Sequence, residues 1–323
     1  MDLIYMNSVK EDLGVLMDYD LDLAFGSGEN NFECRIQSGS HCCREGFFLY
    51  IEGTEYGGIV DSIESNTEAE EVIYSGRTWH GILNSKVIEP NSGAAYLTVS
   101  GEANSVIGSL ISRLNLSSLF EASKINSGLT ISNYKMNRYI AGYDGIIKMV
   151  ETVGGRLQFS FQSGKVVLAA VPVHDFTQDE EFDSDQVGFR VKKNYKSVNH
   201  LICLGSGELQ NRTVVHLFVD GNGAISQTQS LFGEDEYTDV LDYPNAESTD
   251  ELIKTGTEKL RELWNQDELE ISLGDTEDGY SLGDIVGAYD NATQISASAV
   301  ISKKIVTIKN GQIKISYEVG EKK

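Results

Sequence analysis

Short runs with an apolar residue at every second position fill much of this 323-residue chain. Successive strand side chains point to opposite faces, so such runs predict half-buried β-strands. Leu21, Leu23 and Phe25 alternate with Asp20, Asp22 and Ala24, and Phe32, Cys34 and Ile36 repeat the pattern. Phe47 to Ile51 and Gly58 to Ile63 flank a Gly-containing hairpin connection, and Val72 to Tyr74 begins another strand. Strands this short at turn-rich intervals predict a barrel or sandwich over residues 1–90.

After Pro90 the period changes. Ala103, Val106, Ile107, Leu110, Ile111 and Leu114 keep helical spacing, with Asn104 as the expected cap. Tyr143, Ile146, Ile147 and Val150 mark a second helix, stopped by Gly154-Gly155. Leu157, Phe159 and Phe161 then lead through Ser163-Gly164 to a returning strand, Val166 to Val171. Residues 91–174 therefore predict an α/β insert. Residues 175–185 carry six carboxylates, so 175–190 reads as an acidic linker or returning segment.

Residues 191–323 are expected to form a second β domain. Leu201 to Leu204 is a short strand stopped by Gly205, and Thr213, Val215, Leu217 and Val219 share one face of the next. The opposite face, Arg212, Val214, His216, Phe218 and Asp220, is apolar in the middle, so both faces are expected to be covered. Asp220-Gly221-Asn222-Gly223 turns the chain toward a third strand, Ala224 to Thr228. Ser248 with Glu251 forms the Ser-x-x-Glu pattern that opens a helix at 248–265. Asn310-Gly311 predicts a two-residue hairpin that sets Ile308 opposite Ile313 and Val306 opposite Ile315.

The net charge of −23 argues against gripping nucleic acid, which needs clustered Lys and Arg. No apolar run approaches the roughly 20 residues of a membrane span. Met1-Asp2-Leu3-Ile4-Tyr5 has no basic region followed by an apolar one, so synthesis in a cytoplasm without a secretion signal is expected. Cys34, Cys42, Cys43 and Cys203 show no CxxC spacing, and the Cys42-Cys43 pair reads as reduced and structural.

No catalytic, cofactor-binding or metal-ligating residue is assigned. His41, His80, His174, His200 and His216 form no ligand spacing. Ser206 lies between Gly205 and Gly207, but Leu204 stands where a nucleophile elbow needs glycine. Gly205-x-Gly207 lacks the Gly-Lys ending of a phosphate loop, and a strand follows it. Asp275 to Gly279 clusters oxygen ligands without the closing Glu of a calcium loop.

Three groups of residues carry a resemblance. They are Gly76-Arg77-Thr78 with Ile82-Leu83 and Val87-Ile88-Glu89-Pro90; Leu204-Gly205-Ser206-Gly207-Glu208-Leu209 with Arg212 and the Leu217 to Asp220 strand; and Ser281-Leu282-Gly283-Asp284-Ile285-Val286. In this order, over most of the chain, the sequence resembles tail-hub (baseplate hub) proteins of long-tailed phages and prophages, of the siphophage type. The resemblance implies a mainly β fold with an α/β insert and two small β-barrel domains. It also implies a homotrimer whose six barrels ring a channel for DNA and tape-measure protein and join the tail tube to the tip. Distal tail, tape-measure and tip or fibre proteins would be its partners. The expected location is the bacterial cytoplasm during assembly, then the virion tail tip.

The resulting expectation is a non-enzymatic assembly protein. Its Arg212 to Asp220 strand is a candidate interface element, and part of its acidic excess is expected to face the channel and repel DNA. The alternatives are a tail-associated cell-wall hydrolase or a host-surface carbohydrate-binding module. The first needs a catalytic dyad or metal ligands, and the second needs exposed aromatic platforms beyond Trp79 and Trp264.

Overall fold

Antiparallel strands dominate a computed structural model of the chain, which describes residues 1–178, 187–192, 197–264, 268–273, 279–290 and 295–321. The chain divides into two units, Met1–Phe189 with Ile271–Lys323, and Arg190–Glu270. Val187–Lys192 and Glu268–Leu273 pair with each other where the chain passes between the units.

The first unit is built on a ten-stranded sheet. Its order is Asp12–Leu16, Leu3–Met6, Phe48–Tyr50, Gly57–Asn66, Glu71–Thr78, Asn31–Gln37, Asp20–Gly26, Ile295–Lys309 and Ile285–Asp290, with Gln312–Glu321 also paired to Ile295–Lys309. The expected alternation holds: Leu21, Leu23, Phe25, Phe32, Cys34 and Ile36 are all buried. So does the hairpin, where Asn310 and Gly311 take positive φ and Ile308 faces Ile313.

Two expectations are corrected. Residues 191–323 do not stay together: Ile305 and Ile308 pair with Ala24 and Leu21 in the N-terminal sheet. Val306 and Ile308 are fully buried, and alternation fixes which face of a strand needs cover without naming the strand that supplies it. Nor is a closed barrel formed by the described strands, since Asp12–Leu16 pairs with neither Ile285–Asp290 nor Gln312–Glu321. Of the acidic stretch 175–185, residues 179–185 lie outside the described residues, as does most of Asp275 to Gly279.

Helix α1, Trp79–Asn84, was not expected; Thr78 Oγ1 caps it by accepting from Gly81 N at 3.4 Å. In the insert, α2 is Ala103–Arg113 and α3 is Gly142–Glu151. Glu102, not Asn104, caps α2 by accepting from Ser105 N. Asn104 is buried instead, donating to Ile125 O and accepting from Ala170 N, both at 2.7 Å. A three-stranded sheet, Phe120–Ala122, Lys165–Pro172 and Gly155–Gln162, completes the insert, its first pair parallel. Ile107, Leu110, Ile146, Phe161 and Leu168 share one core with Trp79 and Phe48.

The second unit is α/β rather than a second barrel. Its sheet runs Ile225–Ser226, Val214–Val219, His200–Leu204 and Thr238–Asp242, the last pair parallel. Helix α4, Thr249–Trp264, covers one face, where Leu252 and Leu260 meet Leu201, Cys203, Val215, Leu217 and Val219. The helix sits close because of Gly256: a Cβ there would lie 2.4 Å from Cys203 Sγ. Ser248 Oγ accepts from Glu251 N as expected, while Glu251 returns to Glu247 N rather than closing the box on Ser248.

Candidate functional site

The strand ladder of the second unit fixes what its uncovered face presents. Thr238, His200 and Phe218 form one row, Val240, Ile202 and His216 the next, and Asp242, Leu204 and Val214 the third. Val214 is 46% and Val240 53% exposed, so this face is open, against the expectation of cover on both sides.

A polar relay crosses this face. His200 Nδ1 lies 2.6 Å from Glu236 Oε1 and 3.0 Å from Thr238 Oγ1, and His200 Nε2 lies 2.9 Å from His216 Nδ1. An ionised carboxylate only accepts, so His200 donates through Nδ1, and in its neutral tautomer its Nε2 accepts from His216. That leaves Nε2 of exposed His216 as an acceptor at the surface. Phe218 stacks on His200 at 4.3 Å and holds the ring in place. The relay resembles a base held by an orienting group, but among the described residues no hydroxyl or thiol is bonded to His216. Alternation alone puts His216 on the face opposite Val215 and Leu217; its link to His200 becomes visible only with the strand register.

The residue groups singled out in the sequence turn out to be joints. Gly76 allows strand crossing, because a Cβ there would lie 1.9 Å from Ile59 O. Arg77 clamps Asp61 through Nε at 2.7 Å and Nη2 at 2.8 Å, and Thr78 caps α1. Arg212 donates to Gly205 O at 2.9 Å and pairs with Asp242, while Gly207 takes φ +104°. Ser206 is a turn residue whose carbonyl accepts from Thr213 N. Buried Asp284 accepts from His174 N and Ser281 N, with Arg156 Nε 2.7 Å away.

The tryptophans and Cys34, Cys43 and Cys203 are packed away, while His41 stays exposed. Trp79 is fully buried against Phe48 and Phe161, and Trp264 packs on the core of the second unit. His41 Nδ1 meets Tyr74 OH at 2.9 Å, and the same hydroxyl accepts from Cys42 N and Cys43 N. Burial, then the neighbouring Cys42, pushes the Cys34 thiol up to about 12 and the Cys43 thiol up as well, so both stay protonated at neutral pH. Cys42 Sγ and Cys43 Sγ are 3.7 Å apart, well beyond the ~2.05 Å of a disulfide. No cluster of three His, Cys, Asp or Glu suited to a metal occurs among the described residues, and no helix there is long and apolar enough to cross a membrane.

One cleft, of about 550 Å³, opens on the insert between α2 and the Phe120–Ala122 strand. Glu102 lines it; burial opposes its charge, but hydrogen bonds from Ser127 and Ser105 prevail and draw the carboxyl down to about 2.

No protein-family model matches the sequence, and no curated protein matches it either. Solved structures do share the fold. A 43 kDa tail protein of prophage MuSo2 from Shewanella oneidensis aligns over 99% of this chain and 98% of its own, with TM-score 0.57 and 11% identity. Prophage tail protein gp18 from Listeria monocytogenes EGD-e aligns over 100% and 95%, with TM-score 0.52 and 12% identity. A tail protein from Neisseria meningitidis MC58 aligns over 99% and 96%, with TM-score 0.50 and 14% identity. The chain therefore has a fold seen in prophage tail proteins, along its whole length.

Proposed function

We propose that this chain is a structural protein of a phage or prophage tail, acting as a hub subunit that works through its surfaces rather than by chemistry. The carrying observation is the end-to-end match to the 43 kDa MuSo2 tail protein, 99% of one chain on 98% of the other. In this reading three copies close a ring at the tail tip, with the two sheet-bearing units of each chain giving the ring near-sixfold walls around the DNA channel. The open sheet face at Val214 and Val240 and the unpaired sheet edges supply contact surface. Distal tail, tape-measure and tip or fibre proteins are the neighbours, met first in the bacterial cytoplasm and then in the virion. Part of the −23 charge faces the channel and keeps DNA from adhering.

Immunogold electron microscopy of tails carrying an epitope-tagged chain tests this reading. Label confined to the tail tip is the expected result. Label along the tube, or its absence from tails, overturns the hub assignment.

A further inference from the structure

The insert is a basic island. Residues 91–172 hold seven Lys and Arg against four Asp and Glu, in a chain that holds 26 against 49. Among the described residues, one edge of its sheet has no strand beside it. On the far side, Phe161 of Gly155–Gln162 is bonded through both N and O to Thr54 and Gly53, so that edge is covered. On the near side, Phe120–Ala122 is the last strand, and it borders the 550 Å³ cleft. Its Ser123 N bonds inward to Leu168 O, and Leu119 O accepts inward from Val166 N. Strand alternation then turns the backbone groups of Ala122 outward. Lys124 is exposed, Ile125 is 79% exposed, and Lys165 lines the same cleft.

The second unit ends in the complementary edge. Thr238–Asp242 is the last strand of its sheet, and it follows Glu234, Asp235 and Glu236. Tyr243 N bonds inward to Leu204 O, so Val240 turns its backbone outward; among the described residues its N–H is met by its own neighbour, Asp239 Oδ1, at 2.8 Å. Asp239, Val240 and Asp242 are exposed.

We propose that the Phe120–Ala122 edge of one copy takes the Thr238–Asp242 edge of a second copy, joining two sheets into one across the subunit boundary. Edge strands offer unmade backbone hydrogen bonds, and a partner strand satisfies them. Charge chooses the pairing. Two Thr238–Asp242 edges would set carboxylates against carboxylates, whereas the Phe120–Ala122 edge is mixed: Glu121 and Glu102 lie beside its cleft with Lys124 and Lys165, and exposed Lys124 is the cation placed to meet Asp239. The contact joins two different surfaces, so it repeats around a ring rather than closing a twofold pair. Ala122 closes its strand and Val240 is the middle of its own; both turn their backbone outward, so the pairing sets them opposite each other. The pairing rests on the ring reading above, which requires that copies associate.

Two chains test it, one carrying Ala122→Cys and the other Val240→Cys, both with Cys42→Ser. Under mild oxidation the mixture is expected to give a disulfide-linked pair at least tenfold faster than either chain alone. Lys124→Glu is expected to weaken self-association at least tenfold by analytical ultracentrifugation, with recovery on mixing with Asp239→Lys. Association that persists with no preferential cross-link and no charge effect overturns this contact and leaves the ring intact. A chain that stays monomeric at every concentration overturns both.

Discussion

Lys304 Nζ donates to Glu55 Oε1 at 3.0 Å, across 249 residues of sequence and inside the core of the first unit. Lys304 is 2% exposed, and Tyr56 offers its ring face 5.2 Å from the ammonium. Removing one member of a buried pair strands the other charge, at a cost of about 3–5 kcal/mol, whereas replacing both by apolar groups costs far less. Lys304→Ala is therefore expected to lose most of the unit's stability, and Lys304→Met with Glu55→Leu to regain much of it. Urea denaturation of the three variants checks the order.

His80 lies tilted over Phe159, ring centroids 3.8 Å apart, and its Nδ1 has no hydrogen-bond partner among the described residues. Burial, then Lys304, lowers its pKa to about 3, although Glu55 lies 3.7 Å away. That carboxylate is already engaged by Lys304. The unfolded imidazole takes a proton near pH 6.5, and the folded one refuses it until about 3. Stability from this group is thus complete above about 6.5 and falls as pH drops toward 3, by up to ~1.4 kcal/mol per unit. His80→Phe is expected to flatten the urea midpoint between pH 6 and 4, relative to the parent chain.

What the sequence makes legible is local. Asn310-Gly311 specifies its own turn, and the turn fixes Ile308 opposite Ile313. The α4 face is written in Leu252, Gly256 and Leu260 within three turns. The partner of Ile295–Lys309 is not legible, because many alternating strands could cover Val306 equally well and only tertiary assembly selects Asp20–Gly26. The candidate face is half legible. Val214, His216 and Phe218 fall on one side by alternation alone, but that side stays open because α4, the only α-helix among the described residues of the unit, packs on the other.

Gly76 and Gly53 separate two kinds of glycine. At Gly76 a methyl would collide with backbone, 1.9 Å from Ile59 O, and backbone cannot swing aside. Gly76→Ala is expected to cost at least about 3 kcal/mol or to abolish soluble folded protein. At Gly53 nothing lies within 4 Å, and only φ +78° disfavours a side chain, so Gly53→Ala is expected to cost about 1 kcal/mol. Melting temperatures of the pair check the gap.

Asp284 and Arg156 are expected to respond unequally, although each is the other's ion partner at 2.7 Å. Asp284 is 2% exposed and also accepts from Ser281 N at 2.9 Å and His174 N at 3.1 Å, so its loss frees two backbone donors. It also leaves a guanidinium whose buried Nη1 has no hydrogen-bond partner among the described residues. Arg156→Met leaves the carboxylate with both backbone donors, which keep satisfying its charge. Asp284→Ala is therefore expected to cost about 3–5 kcal/mol and Arg156→Met about half that. If the two variants melt together, Asp284 serves only its ion pair and not the loop that Ser281 and His174 anchor.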